Sequence, residues 1–121
     1  MPFLRKSGQP HAEDLIHHLE HAVNVCGEDH VGIGTDGPMS RIELNKAYAE
    51  FQRKFYADRL KRGISAPGES ADVFNLIPEY NTPRRFKILA DDLSRRGWPS
   101  TRIDKILGAN FARLFSTVWT G

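Results

Sequence analysis

The stretch His30-Val31-Gly32-Ile33-Gly34-Thr35-Asp36-Gly37-Pro38 decides how this chain is read. An apolar run with small residues ends in a carboxylate, and a Gly-Pro turn follows at once. The run predicts a short buried strand over about 30–35 that delivers an acid to the rim of a sheet. Gly32 and Gly34 would let another backbone or a ligand approach closely. In parallel α/β sheets the chemistry gathers at the carboxyl ends of strands, which is where Asp36 would sit.

Helical patterns surround this run. Upstream, Leu15, Ile16, Leu19, Ala22, Val23 and Cys26 recur at helical spacing, and Gly27 offers a stop, so a helix is expected over about 12–26. Downstream, Ser40 and Glu43 form a capping-box pattern ahead of the stripe Leu44, Ala47, Tyr48, Phe51 and Phe55, which predicts a helix over about 41–61. Residues 63–81 are rich in Gly and Pro and read as loop, with an apolar patch at Val73-Phe74-Asn75-Leu76-Ile77. Thr82-Pro83 reads as a cap and first-turn proline for a third helix ending near Arg96-Gly97. Thr101 and Asp104 repeat the capping pattern before Ile103, Ile106, Leu107, Phe111, Leu114, Phe115 and Val118, with Gly108 as a break point. The expectation is about four helices and one or two short strands, Met1-Pro2-Phe3-Leu4 reading as the tail of a second strand.

At 121 residues the chain has the length of one small domain. The 17 basic residues are nearly matched by 15 acidic ones. Each basic cluster, such as Arg53-Lys54 or Arg95-Arg96, has acids beside it. That balance argues against a nucleic-acid partner, which would want a one-sided field. No apolar run approaches the roughly 20 residues that a membrane-spanning helix needs. The single Cys26 excludes an internal disulfide and a cysteine metal cage, and points to a reducing cytoplasmic compartment.

Four pieces in order resemble the C-terminal part of the membrane (renal) dipeptidase family. They are Asp14-Leu15-Ile16-His17-His18-Leu19-Glu20-His21, His30 to Asp36, Leu89-Ala90-Asp91-Asp92-Leu93-Ser94-Arg95-Arg96-Gly97-Trp98, and Ile103-Asp104-Lys105-Ile106-Leu107-Gly108-Ala109-Asn110-Phe111-Ala112-Arg113-Leu114-Phe115. The resemblance implies an α/β fold, the C-terminal fragment of a (β/α)8 TIM barrel. It implies a single segment over 1–121, with 39–81 as an inserted helix and loop over the barrel mouth. It also implies a hydrolase that cuts dipeptides with two zinc ions. The family's zinc ligands, a His-x-Asp pair, a bridging Glu and two further His, map upstream of the matching pieces. One strand cannot close a barrel of about 250 residues. The chain is therefore expected to be part of a longer polypeptide, or to fold differently and be inactive alone.

On this resemblance Asp36 matches the aspartate that faces the zinc centre, and its role would be to take a proton from the attacking water and return it to the leaving amine. The local alternative is an Asx-turn residue opening the Gly37-Pro38 loop. His17 and His21 have a spacing that could hold one metal, but a solvated helix face explains them better, and His18 stands where a metalloprotease helix would have Glu. His30 is expected at the stable end of the strand, and His11 in a loop without a partner. Cys26 is expected in the core, Asn110 as a helix-break or backbone-bonding residue, and Trp98 and Trp119 as packing anchors. A non-enzymatic helical module that self-associates into a homo-oligomer is the other reading, because apolar stripes with no sheet to cover them favour association.

Overall fold

All the regular structure among the described residues is helical. The computed structural model describes residues 2–119. A 3-10 turn at Pro2–Leu4 is followed by α1 (Ala12–Cys26), α2 (Lys46–Lys61), a second 3-10 turn at Pro78–Tyr80, α3 (Arg85–Arg95), α4 (Ser100–Asp104) and α5 (Asn110–Val118), with a π-type turn, Lys105–Ala109, joining the last two. No strand or sheet is present among the described residues. The expected α/β barrel fragment is therefore corrected to an all-helical chain. Pro2-Phe3-Leu4 is a helical turn rather than a strand tail, and Met1 lies outside the described residues.

The strand expected at 30–35 keeps its pattern and lacks its partner. Burial alternates along it: Val31, Ile33 and Thr35 turn inward while Gly32, Gly34 and Asp36 are exposed. That two-residue period is what a strand shows. No ladder pairs Val31–Asp36 with another segment among the described residues, so the pattern yields an irregular stretch.

The helix ends follow local chemistry. α1 matches its expected span and stops at Gly27, which has a left-handed φ of 80° and returns its N–H to the Val23 carbonyl at 2.9 Å. At its start the Asp14 carboxylate accepts the His11 N–H at 2.9 Å. α3 ends in a Schellman motif: Gly97 N–H donates to the Ser94 carbonyl at 2.9 Å and Trp98 N–H to the Leu93 carbonyl at 3.1 Å. Leu93 and Trp98, at the two positions where apolar side chains commonly accompany that motif, are both buried. α2 closes the same way, through Gly63 to Leu60 and Ile64 to Arg59.

α2 starts five residues later than the Ser40–Glu43 pattern predicts. The Asn81 side chain accepts the Ile42 N–H at 2.8 Å and donates to the Ile42 carbonyl at 2.8 Å, which holds residue 42 out of a helix. Asn45 then caps α2, its Oδ1 accepting the Tyr48 N–H at 3.0 Å. α3 likewise begins at Arg85 rather than at Pro83. Gly108 carries the non-helical backbone that separates α4 from α5, as its position predicts.

The chain divides into two compact units, residues 1–15 with 38–83 and residues 16–37 with 84–121. The first holds the stretch read as an insertion. Its buried apolar residues are Val73, Leu76, Ile77 and Tyr80, and side-chain amides bind the loop that carries them. Gln9 donates to the Phe74 and Leu76 carbonyls and accepts the Phe74 N–H at 2.8 Å. Gln52, 4% exposed, donates to the Val73 carbonyl at 2.8 Å. Arg59 bridges to Glu69 at 3.0 Å. Burial alone would raise the Glu69 carboxyl, but hydrogen bonds from Arg59 and the Ala66 N–H hold it below the usual range. The second unit buries Ile16, Leu19, Val31, Leu89, Leu93, Trp98, Ile103 and Ile106.

Candidate functional site

Asp36 sits at the exposed end of the irregular stretch, with a left-handed φ of 42°. Aspartate tolerates that region better than most residues because its short side chain interferes little there. No hydrogen bond or ion pair engages the Asp36 carboxylate among the described residues. It is a solvated acid at the tip of a turn, open to whatever approaches.

The other end of the stretch is held firmly. Asn110, 8% exposed at the start of α5, donates its amide to the Glu28 carbonyl and to the Val31 carbonyl, both at 2.8 Å. Glu28 accepts Arg102 Nε and Lys105 Nζ, each at 2.7 Å. Lys105 also reaches Asp29 at 2.8 Å, and Arg113 donates to the Asp29 carbonyl at 2.6 Å. Hydrogen bonds from Lys105 and Arg102, helped by their charge, hold the Glu28 carboxyl below the usual glutamate range. The Lys105 ammonium is raised by its hydrogen bonds to Asp29 and Glu28. The Arg102 guanidinium also lies over the Trp98 ring, 5.4 Å from its centroid. The turn before the stretch is thus fixed by four side chains that follow Trp98.

Gly32 is tightly approached, as its place in the sequence predicts, but by an aromatic ring. A Cβ at this position would lie 2.4 Å from Phe111 Cε2. Gly34 has nothing within 4 Å of such a Cβ, so no close neighbour explains that glycine.

The remaining candidates are dispersed. His17, His18 and His21 are exposed on α1, the solvated face expected of them. His30 is exposed, and its Nδ1 lies 3.0 Å from the Cys26 carbonyl; no strand end surrounds it. His11, expected to lack a partner, pairs with Glu79 at 2.8 Å. Cys26, expected in the core, is exposed. Trp98 is buried as an anchor, whereas Trp119 is 72% exposed and stacks on Phe115. No group of three or more His, Cys, Asp or Glu side chains that could hold a metal ion is present among the described residues.

An open cleft of about 470 Å³ lies in the first unit, lined by Arg41, Glu43, Leu44, Asn45, Pro78 and Asn81. Its two amides are already committed, Asn81 to Ile42 and Asn45 to Tyr48, and Arg41 stands 3.9 Å from Glu43. Little polar capacity is left to orient a ligand. Among the described residues no helix is long and apolar enough to cross a membrane.

Asn110 and the Glu28 cluster are the positioning groups that sequence reasoning located only in part. Asn110 was expected to bond backbone, but its partners lie some eighty residues away and no local pattern names them. Comparison with known proteins adds one distant similarity. No family model and no solved structure matches the chain. The chain is 26% identical over 121 residues to an uncharacterized protein in the pqqA 5′ region of Klebsiella pneumoniae. The aligned part takes in 97% of this chain and 32% of that protein, so the chain spans about a third of the length of the relative it matches.

Proposed function

We propose that this chain is part of a zinc-dependent dipeptidase-like hydrolase and supplies it with Asp36 as the carboxylate that handles the proton of the attacking water. The observation that carries the reading is the ordered set of four pieces ending at Asn110-Phe111-Ala112-Arg113-Leu114-Phe115, with Asp36 between the first and third. Two structural facts support it. The Asp36 carboxylate is exposed and uncommitted, as a group that exchanges protons with water must be. Its segment is also anchored by a buried amide rather than left to wander. On the resemblance, the metal ligands of such an enzyme map upstream of the four matching pieces. What this chain contributes is therefore a base and its mounting, and by itself it has no activity.

The test begins with the reading frame upstream of the Met1 codon. Where it extends, the longer polypeptide is expressed with zinc and assayed on dipeptides. Asp36→Asn should lower kcat at least a hundredfold with KM little changed, the scale of a lost general base. A frame closed immediately upstream, an inactive extended polypeptide, or an Asp36→Asn variant with full kcat would each refute the proposal. A non-enzymatic helical binding module is the second reading. It is favoured by the exposed apolar residues of α2 and α5, among them Phe51, Leu60, Leu114 and Phe115.

A further inference from the structure

Asp36 is the only aspartate of this chain that precedes a glycine, and no asparagine precedes one. The pair matters because the main-chain nitrogen after an aspartate can reach that residue's own carboxyl carbon. The reaction is intramolecular, so the two groups meet at a high effective concentration. Glycine helps twice: no Cβ crowds its nitrogen, and its backbone turns freely.

A fold suppresses this closure by fixing the backbone around the acid or by engaging its carboxylate. The other aspartates are restrained in one of these ways. Asp14, Asp58, Asp91, Asp92 and Asp104 lie within helices, while Asp29 pairs with Lys105 and Asp72 with Arg53. Asp36 and Gly37 lie in no helix, and both are exposed. Among the described residues no hydrogen bond engages the Asp36 carboxylate or the Gly37 N–H. The backbone is tied upstream at Val31 by Asn110 and downstream at Ile42 by Asn81, and the pair lies between these ties.

We infer that Asp36-Gly37 is a site of spontaneous isoaspartate formation in the folded chain. The Gly37 nitrogen attacks Asp36 Cγ. A new N–Cγ bond forms, the nitrogen gives up its proton, and Cγ loses one oxygen as water, which leaves a five-membered succinimide. Water then opens the ring. Cleavage of the new N–Cγ bond restores aspartate, whereas cleavage of the original peptide bond yields isoaspartate. Water is the only co-reactant. In the product the main chain runs through Cβ and Cγ, one methylene longer, and the carboxylate hangs directly on Cα. The inference stands apart from the hydrolase reading and survives or fails independently of it. Where that reading holds, conversion displaces the carboxylate that handles the proton, and activity falls as isoaspartate accumulates.

Ageing the purified 121-residue chain for weeks at neutral pH and body temperature tests it. Peptide mapping with electron-transfer fragmentation separates isoaspartate from aspartate at each position, and should find it rising at residue 36 ahead of every other aspartate. A synthetic peptide spanning residues 31–42 gives the unprotected rate. The folded chain should convert within about tenfold of that peptide, because a loop opens at little free-energy cost. Gly37→Ala should slow conversion about tenfold, equivalent to about 1.4 kcal/mol in the barrier. This variant should keep the fold: Gly37 has no left-handed φ, and its new Cβ would lie 3.5 Å from the Thr35 carbonyl oxygen, an ordinary contact. Far-UV circular dichroism checks that. Asp36→Glu needs a six-membered ring and should slow closure by a similar factor or more. In Asp36→Asn ammonia leaves in place of water, so that variant should drift back toward aspartate and isoaspartate, and its kcat is measured on fresh protein. The inference is overturned by a folded chain that converts far more slowly than the peptide. It is also overturned by isoaspartate that appears equally at the other aspartates, or by a rate that Gly37→Ala leaves unchanged.

Discussion

Removing the Asn110 amide should unfasten the Asp36 segment from its base. The side chain is nearly buried and donates two hydrogen bonds, each 2.8 Å long, to carbonyls three residues apart. A hydrogen bond of this kind contributes about 1 kcal/mol net, and a buried carbonyl left without its donor costs about 1–3 kcal/mol. The Val31 carbonyl is the more deeply placed of the two. Asn110→Ala should therefore destabilise the chain by about 2–3 kcal/mol. Asn110→Asp keeps the shape but sets a carboxylate against two carbonyl oxygens, so at pH 7 it should cost more than the alanine change. Once that carboxyl is protonated it regains one donor, and the variant should recover relative to Asn110→Ala as pH falls below about 5. Urea unfolding followed by circular dichroism at pH 7 and pH 4.5 gives the energies. Amide hydrogen exchange at Val31 to Asp36 shows whether the loss is local. A cost below about 0.5 kcal/mol for Asn110→Ala, or an aspartate variant no worse than alanine at pH 7, would refute the clamp.

Gly32→Ala should destabilise by about 1–2 kcal/mol, because the new methyl meets Phe111 at 2.4 Å and the half-exposed ring must swing away. Combining it with Phe111→Ala should recover most of that loss, and thermal unfolding of the single and double variants decides whether it does. The Glu28 cluster gives the pH dependence. Glu28 is depressed in the folded state, so its stabilisation is complete above the usual glutamate range and is lost as pH falls through the lower folded value. Lys105 is raised, so its stabilisation holds below the usual lysine range and is lost as pH rises through the higher folded value. The difference in Tm between the wild type and Glu28→Gln should be constant around neutrality and shrink at both extremes. A difference independent of pH would count against the cluster.

The helices were legible because their signals are local. Gly27 and Gly97 mark their stops by supplying the left-handed backbone that α1 and α3 need at their ends. The stripe from Leu15 to Leu19 marks a buried face for α1, whose Ile16 and Leu19 are the buried positions. Errors arose where the controlling contact is distant. The start of α2 depends on Asn81 holding Ile42, a partner no local capping pattern reveals. Cys26 shows a limit of periodicity: it lies on the apolar stripe, yet α1 buries only its middle and leaves its last turn, Val25 included, in solvent. Asp36 was legible as an exposed acid at a turn. The residues that mount it, Asn110 and the Glu28 group, could only be seen once the chain was folded.

The irregular stretch shows why pattern and structure can part company. A period of two in hydrophobicity says which side chains a segment will bury, and Val31, Ile33 and Thr35 do turn inward. It says nothing about where the backbone N–H and C=O groups of that segment will be satisfied, and a strand exists only when another backbone meets them. Here the Val31 carbonyl is met by a helix-borne amide instead. Gly32 is met by the ring of the next residue on the same helix. Both contacts come from α5, through residues 110 and 111, and both act at the base of the stretch. Beyond Gly32 the hold weakens: Gly34 has open space beside it and the Asp36 carboxylate reaches solvent. A segment fixed at its base and open at its tip sets the direction from which Asp36 emerges while leaving the carboxylate accessible. That is the mechanical condition a proton-handling carboxylate has to meet, and it follows from Asn110 and Phe111 as much as from Asp36 itself.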